Sequence, residues 1–419
     1  MLAAAAAATM DMGWDFASDW KELKEAFNSG GVEAGRAWLK RKRDEWKKIL
    51  LNVAVIGRSG VGKSSFINAI RSLTADDEGG APVGVKETTV DVDHIYPHPN
   101  NPLLKFWDLP GVGTRRFPRQ TYLADIQVGR FDFFLLITAD RFTEDDTWLG
   151  RQFDKLNKKY FFVRTKVGAD ISNNKQAHPK THNEDDVVRD IRESTQKHLK
   201  ENGCENVPVF LIDSYKLKKF DFYLLERRLI EEFPIFKKAA LVLSLQATSK
   251  EMISLKVAEL RSRMWKRAAL SGVVGAIPVP VVSTAIDISI VTEESEFYFT
   301  QLGLDETSLK RYAELTKTDY QSLKAIVDST FGDLDTEAIV NTYMGAAMPL
   351  VAGEGLKWIP VIGCLIGPLI AAPLSVVGTY NTLKLVLEKM ERVALEVAEC
   401  AAKSAASACC DESDDDDEP

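Results

Sequence analysis

Eight residues, Gly57-Arg58-Ser59-Gly60-Val61-Gly62-Lys63-Ser64, carry the spacing G-x-x-x-x-G-K-S at every fixed position. That spacing suits the holding of a polyphosphate. The glycines let the backbone curl until several N–H groups converge on an anion, and the start of a helix adds its own. Gly57, Ser59, Gly60, Gly62, Lys63, Ser64 and Ser65 are the candidate phosphate contacts. Lys63 has the length and charge to reach the β- and γ-phosphates, and the Ser64 hydroxyl offers one Mg2+ coordination position. A second acid-bearing element follows about 45 residues later, where Lys105-Phe106-Trp107-Asp108-Leu109-Pro110-Gly111 ends in D-x-x-G. Asp108 can hold a Mg2+-bound water, and the Gly111 N–H can meet a γ-phosphate. Between the two lies Gly84-Val85-Lys86-Glu87-Thr88-Thr89, where Thr89 is the candidate to close the metal shell as part of a nucleotide-sensitive loop. Ser64, Thr89 and Asp108 are thus the candidate metal ligands.

The base-reading element is less regular. Phe161-Phe162-Val163-Arg164 runs into Thr165-Lys166-Val167-Gly168, a T-K-x-x loop. GTP-binding loops of this form carry Asp at the fourth position, where its two oxygens accept the N1–H and 2-amino protons of guanine. Gly168 stands there instead, with Asp170 the nearest carboxylate in sequence. Thr165 and Lys166 remain candidates, Lys166 by packing its stem along the base. Asp213 or Ser214, at the end of Val209-Phe210-Leu211-Ile212, would lie close to the base as well. The expectation is a weakened guanine preference, sharpened about tenfold by Gly168→Asp if each 1.4 kcal/mol counts as a decade.

These residues need a sheet to hold them. Apolar runs at 51–56, 103–107, 132–138, 160–164 and 207–212 alternate with helical patterns, which predicts an α/β domain with a mostly parallel sheet and helices on both faces. Phe131 to Ile137 is apolar almost throughout and reads as a strand buried on both sides. On the N-terminal side the spacing predicts a helix from Asp15 to Phe27, a break at Gly30-Gly31, and a second helix from Val32 to Ile49. Beyond Phe233-Pro234 the pattern is helical, including Ser249 to Ala269. Asp305 is expected to cap a helix over 306–317, and Thr318 the one that runs through Asp328. The chain therefore divides into an Ala-rich disordered start (1–13), N-terminal helices (14–50), a P-loop domain (51–235), a C-terminal helical domain (236–408) and an acidic disordered tail (409–419). The N- and C-terminal helical segments build one all-α domain.

Ala268 to Ile286 and Trp358 to Leu383 carry no charge and are long enough to span a bilayer. Prolines and glycines interrupt both, and broken turns leave backbone groups unpaired in lipid. Buried helical hairpins are favoured over membrane insertion, and peripheral association stays open.

Of the net charge of −8, the run Asp411 to Glu418 accounts for −7, so the rest of the 419 residues is near neutral and no nucleic-acid-binding surface is implied. The alanine tract after Met1 has no basic flank, which argues against a signal peptide, and position 2 is not glycine. Five scattered cysteines form no disulfide framework and fit a reducing cytoplasm.

Several stretches together resemble the immunity-related GTPases, the interferon-inducible family of dynamin-like GTPases. They are Gly57 to Asn68, Gly84 to Thr89, Phe106 to Thr114, Phe117-Pro118 with Thr121-Tyr122-Leu123, Tyr160 to Val167, and Leu304 to Leu309. The similarity runs from about Trp14 to about Cys400, and Lys63 resembles the effector branch. The resemblance implies Mg2+-dependent hydrolysis of GTP to GDP and phosphate, slow in a lone subunit and stimulated by a homodimer or higher assembly through the GTPase domain. Lys63, Glu87 and Thr89 would be the catalytic residues, with Glu87 acting across the dimer. Val112, directly after D-x-x-G, cannot orient a water molecule. The implied role is cell-autonomous immune defence at intracellular membranes. Two other readings remain open: a nucleotide-gated, membrane-associated scaffold with little turnover, which Gly168 favours, and a P-loop ATPase.

Overall fold

The computed structural model describes residues 16–84, 94–113, 115–274, 280–331 and 376–411. Glu87, Thr89, Thr114, the alanine-rich start, most of 358–383 and the tail from 412 lie outside the described residues. The chain forms two compact units, Trp46–Leu245 and a second that joins Met1–Glu45 to Gln246–Pro419.

The first unit is built on a six-stranded sheet in the order β2-β3-β1-β4-β5-β6. Its strands are β1 (Leu51–Gly57), β2 (His94–His98), β3 (Asn101–Pro110), β4 (Phe133–Thr138), β5 (Tyr160–Arg164) and β6 (Val209–Leu211). β1 pairs in parallel with β3 and β4, and the parallel ladder continues from β4 to β5 and β6. Every residue of β1, β4 and β5 is buried, as expected of parallel strands covered on both faces. The expected strands are all present. β2 is an addition, an antiparallel edge strand whose register shifts at Pro97/His98. Proline has no N–H to donate to a ladder, so an edge is where a strand tolerates it. On one side of the sheet Trp107, Phe131, Phe134, Phe153, Tyr160 and Phe162 share an apolar core. The Phe134 and Phe153 rings stack at 4.1 Å, so β4 and the helix Glu144–Lys155 pack directly.

The described residues of the second unit are helical. α1 (Phe16–Arg43) leaves helical geometry at Gly30 and Gly31, with Gly31 at φ +64°, and a 3-10 turn follows over Asp44–Lys48. The break falls where the sequence puts it, but the α-helix stops short of Ile49. Further on come helices Lys250–Val274, Pro280–Gln301, Glu306–Thr316, Tyr320–Phe331 and Val376–Asp411. Asp305 accepts the Ser308 N–H as a helix cap. For the next helix the acceptor is Asp319, which takes the Ser322 N–H at 2.8 Å, and not Thr318 one residue earlier. Leu260, Met264, Ile290, Tyr298, Leu387 and Met390 are fully buried. Among the described residues no helix is long and apolar enough to cross a membrane.

Candidate functional site

Parallel α/β sheets bind ligands beyond the carboxyl ends of their strands, and the candidate residues gather there. β1 ends at Gly57, and the loop after it leads into the helix Lys63–Ile70, labelled α2. Gly60 and Gly62 hold φ at +81° and +94°, the left-handed region that side chains avoid, so the loop can coil back towards the sheet. No side chain caps α2 at its start. Its first N–H groups are therefore available to an anion. Ser59 is exposed on the loop, and Ser64 and Ser65 are half-buried at the head of the helix.

Lys63 is only 5% exposed. Its ammonium donates to the Arg58 carbonyl at 3.2 Å and lies 3.6 Å from Asp108 Oδ1. The Ser64 hydroxyl donates to Asp108 Oδ2 at 3.3 Å. Asp108 arrives from β3, directly beside β1, with Val55 opposite Asp108 in the register. The G-K-S element and the D-x-x-G element thus converge on one buried carboxylate. A cation and a hydroxyl share it, and both can turn to an incoming polyphosphate. Ser64 Oγ and the Asp108 oxygens are hard donors on one side of the loop, a set that fits Mg2+.

Gly111 lies against the phosphate loop itself. A Cβ on it would sit 3.2 Å from the Arg58 N and the Gly57 C, tighter than most Cβ contacts, so glycine eases the close approach of the two loops. The buried Tyr122 hydroxyl donates to the Pro110 carbonyl at 2.6 Å and anchors the turn. Burial pushes the Tyr122 hydroxyl well above the ordinary tyrosine range, so it remains a donor. Val112 is 5% exposed and packed in the apolar core on one side of the sheet.

On the far side, Thr165 ties the base loop to the phosphate loop. Its hydroxyl bonds the Val61 carbonyl at 2.5 Å and the Thr138 carbonyl at 3.1 Å. Lys166 is exposed in the left-handed region at φ +60°, and the helix Val167–Ala177 starts immediately after it. Asp170 pairs with the buried Arg164 at 2.6 Å. Burial raises the Asp170 carboxyl above its usual range, opposed by Arg164. Asp213 is buried at the end of β6, with Oδ1 accepting the Tyr215 N–H at 2.9 Å. Ser214 beside it is half-buried. Sequence reasoning passed over Tyr215. This ring is 76% exposed, and its hydroxyl lies 3.1 Å from Ser65 Oγ, linking the loop after β6 to the head of α2. The one signal for it was an aromatic residue two positions after an acid at a strand end.

A family model for interferon-inducible GTPase matches residues 18–351. The chain belongs to the interferon-inducible GTPase family. Among its relatives, Interferon-inducible GTPase 1 of Mus musculus is 35% identical over 312 residues, 74% of this chain and 75% of that protein. Interferon-inducible GTPase 5 of Rattus norvegicus is 32% identical over 378 residues, 90% of this chain and 81% of that protein. T-cell-specific guanine nucleotide triphosphate-binding protein 2 of Mus musculus is 35% identical over 264 residues, 63% of each chain. As a member of this family the chain is a GTP-binding hydrolase, and the match extends beyond the sheet unit into the helical one.

Proposed function

We propose that the chain binds GTP at the carboxyl edge of its sheet and hydrolyses it to GDP and phosphate with Mg2+, slowly alone and faster on self-assembly. The observation that carries this reading is the convergence of Lys63 and Ser64 on Asp108, at 3.6 Å and 3.3 Å. In phosphoryl transfer the protein's task is positioning and charge stabilisation, with little covalent chemistry of its own. Lys63 moves from the Arg58 carbonyl to the β- and γ-phosphate oxygens. The N–H groups of the 57–62 loop and the start of α2 fix the polyphosphate. Ser64 and Asp108 would hold Mg2+, joined by Thr89, and the metal when bound neutralises charge shared between the β- and γ-phosphates. The Gly111 N–H marks the γ-phosphate position.

Slow turnover in a single subunit follows from Val112, which sits in the core where a water-orienting side chain would be needed. Glu87, by the family resemblance, then acts when two sheet units meet face to face. Peripheral association with intracellular membranes and a part in innate immune defence complete the proposal, supported by the interferon-inducible naming of the relatives. The near-neutral body outside the acidic tail speaks against a nucleic-acid partner.

The test is a titration with fluorescent guanine nucleotide competed by GTP, GDP and ATP, in the native chain and in Lys63→Ala. A charge-assisted phosphate contact is worth roughly 1.5–3 kcal/mol, so Lys63→Ala should weaken GTP by at least about tenfold. Unchanged affinity would remove the 57–64 loop from the site.

A further inference from the structure

The loops after β5 and β6 emerge side by side, because the two strands pair in parallel with Arg164 opposite Leu211. The Val167 N–H donates to the Ile212 carbonyl at 3.3 Å and ties them together. Where they meet, Gly168 lies against Asp213. A Cβ on residue 168 would fall 2.2 Å from Asp213 Oδ2 and 3.4 Å from its Cγ. The Asp213 carboxylate therefore fills the space into which a side chain at position 168 would project.

We propose that Asp213 is the carboxylate that reads the guanine edge, and that Gly168 is the gap that admits it. The inference rests on the guanine-nucleotide reading above and locates its base specificity. One acid has in effect changed loops. The acceptor that a T-K-x-D loop would supply from residue 168 comes from the neighbouring strand end.

Its orientation is set from three sides. Oδ1 accepts the Tyr215 N–H at 2.9 Å, and the Lys216 N–H bonds the Asp213 carbonyl at 3.1 Å, so the residue sits in a closed turn. Tyr215 in the same turn reaches Ser65 at the phosphate loop, which places the turn over the groove between phosphate and base. With Oδ1 held, Oδ2 is the oxygen directed at Gly168. Asp170, the sequence alternative, is committed elsewhere: its carboxylate pairs with Arg164, a side chain 8% exposed at the end of β5. On this proposal Gly168→Asp alone should not sharpen selectivity. The new side chain would meet Asp213 within contact distance, and two carboxylates would repel.

Chemistry supplies a test with a gain. A carboxylate only accepts hydrogen bonds, and guanine offers two donors, N1–H and the 2-amino group. In Asp213→Asn one acceptor becomes an NH2 donor. That pattern suits xanthine, which keeps N1–H and has a carbonyl at C2. The Asn oxygen can still accept the Tyr215 N–H, so the turn is retained. Affinities of GTP and XTP are measured in the native chain, Asp213→Asn, Asp170→Asn and the exchanged pair Gly168→Asp/Asp213→Gly. The GTP-to-XTP affinity ratio should fall by about a hundredfold or more in Asp213→Asn, two charged hydrogen bonds being exchanged. XTP should bind that variant more tightly than it binds the native chain, which a misfolded variant could not do. The exchanged pair should prefer GTP again.

An Asp213→Asn variant that keeps the native ratio, or loses GTP and XTP alike, assigns Asp213 a purely structural part in its turn and overturns the proposal. So does inversion of the ratio by Asp170→Asn. A native chain that binds no guanine nucleotide fails earlier, in the first titration, and takes the nucleotide-site reading with it.

Discussion

The Ser64 hydroxyl lies 3.3 Å from Asp108 Oδ2, joining the first turn of α2 to the end of β3 across the parallel β1–β3 ladder. This pair brings the two phosphate-side elements into one site. On the proposed Mg2+ reading, removing the hydroxyl in Ser64→Ala would cost one oxygen ligand while leaving Lys63 and the loop N–H groups in place. The Mg2+ concentration needed for half-maximal GTP hydrolysis should rise by about tenfold or more, taking one charge-assisted contact at 1.5–3 kcal/mol. Hydrolysis in Mg2+ titrations reads it. An unshifted curve means that Ser64 is not a ligand.

Thr165 braces the base loop against the phosphate loop through the Val61 and Thr138 carbonyls. Thr165→Val keeps the shape and removes the donor; the Thr138 carbonyl keeps the Thr165 N–H at 2.8 Å, while the Val61 carbonyl loses the hydroxyl at a cost of about 1–3 kcal/mol. GTP affinity should fall by roughly tenfold, and Thr165→Ser should recover it. Equal loss in the serine variant would mean that the methyl group, and not the hydroxyl, holds the loops.

The positions of the sheet strands were legible because parallel strands covered on both faces read as continuous apolar runs, as in Phe133 to Thr138. β2 was not. His94-Ile95-Tyr96-Pro97-His98 is short, polar at both ends and carries a proline, and only its antiparallel partner β3 makes it a strand. The break in α1 was legible because two adjacent glycines admit the φ of +64° found at Gly31. The cap at Asp319 was displaced by one residue, since Thr and Asp are both good caps and local sequence does not choose between neighbours. On the phosphate side the candidate residues are local motifs, so spacing alone assembled them. The relationship proposed for the base side has Gly168 meeting Asp213 across two strands. No local pattern carries the direction of a side chain from one loop into another.

In the helical unit, Arg267 Nε lies 2.6 Å from Glu294 Oε1, with side chains 8% and 2% exposed. Arg267 also donates to the Leu39 carbonyl at 3.4 Å, so α1 shares the same buried charge. Glu294→Ala would leave a guanidinium buried without its carboxylate and should destabilise this unit by about 3–5 kcal/mol. Replacing both residues together by Met and Leu should cost far less, because a buried ion pair and a packed apolar pair are often near equal. Urea denaturation followed by helical circular dichroism measures both. Equal losses in the single and double variants would mean that volume, and not charge, governs the site.

GTP hydrolysis stimulated by self-assembly is tested most directly by phosphate release per subunit across a wide range of protein concentration, with saturating GTP and Mg2+. The native chain should show low turnover when dilute and a rising turnover per subunit as concentration increases. Glu87→Ala should bind GTP as the native chain does and stay at the dilute rate throughout. A native chain whose turnover per subunit is flat with concentration, or that releases no phosphate from GTP at any concentration, would contradict the assignment.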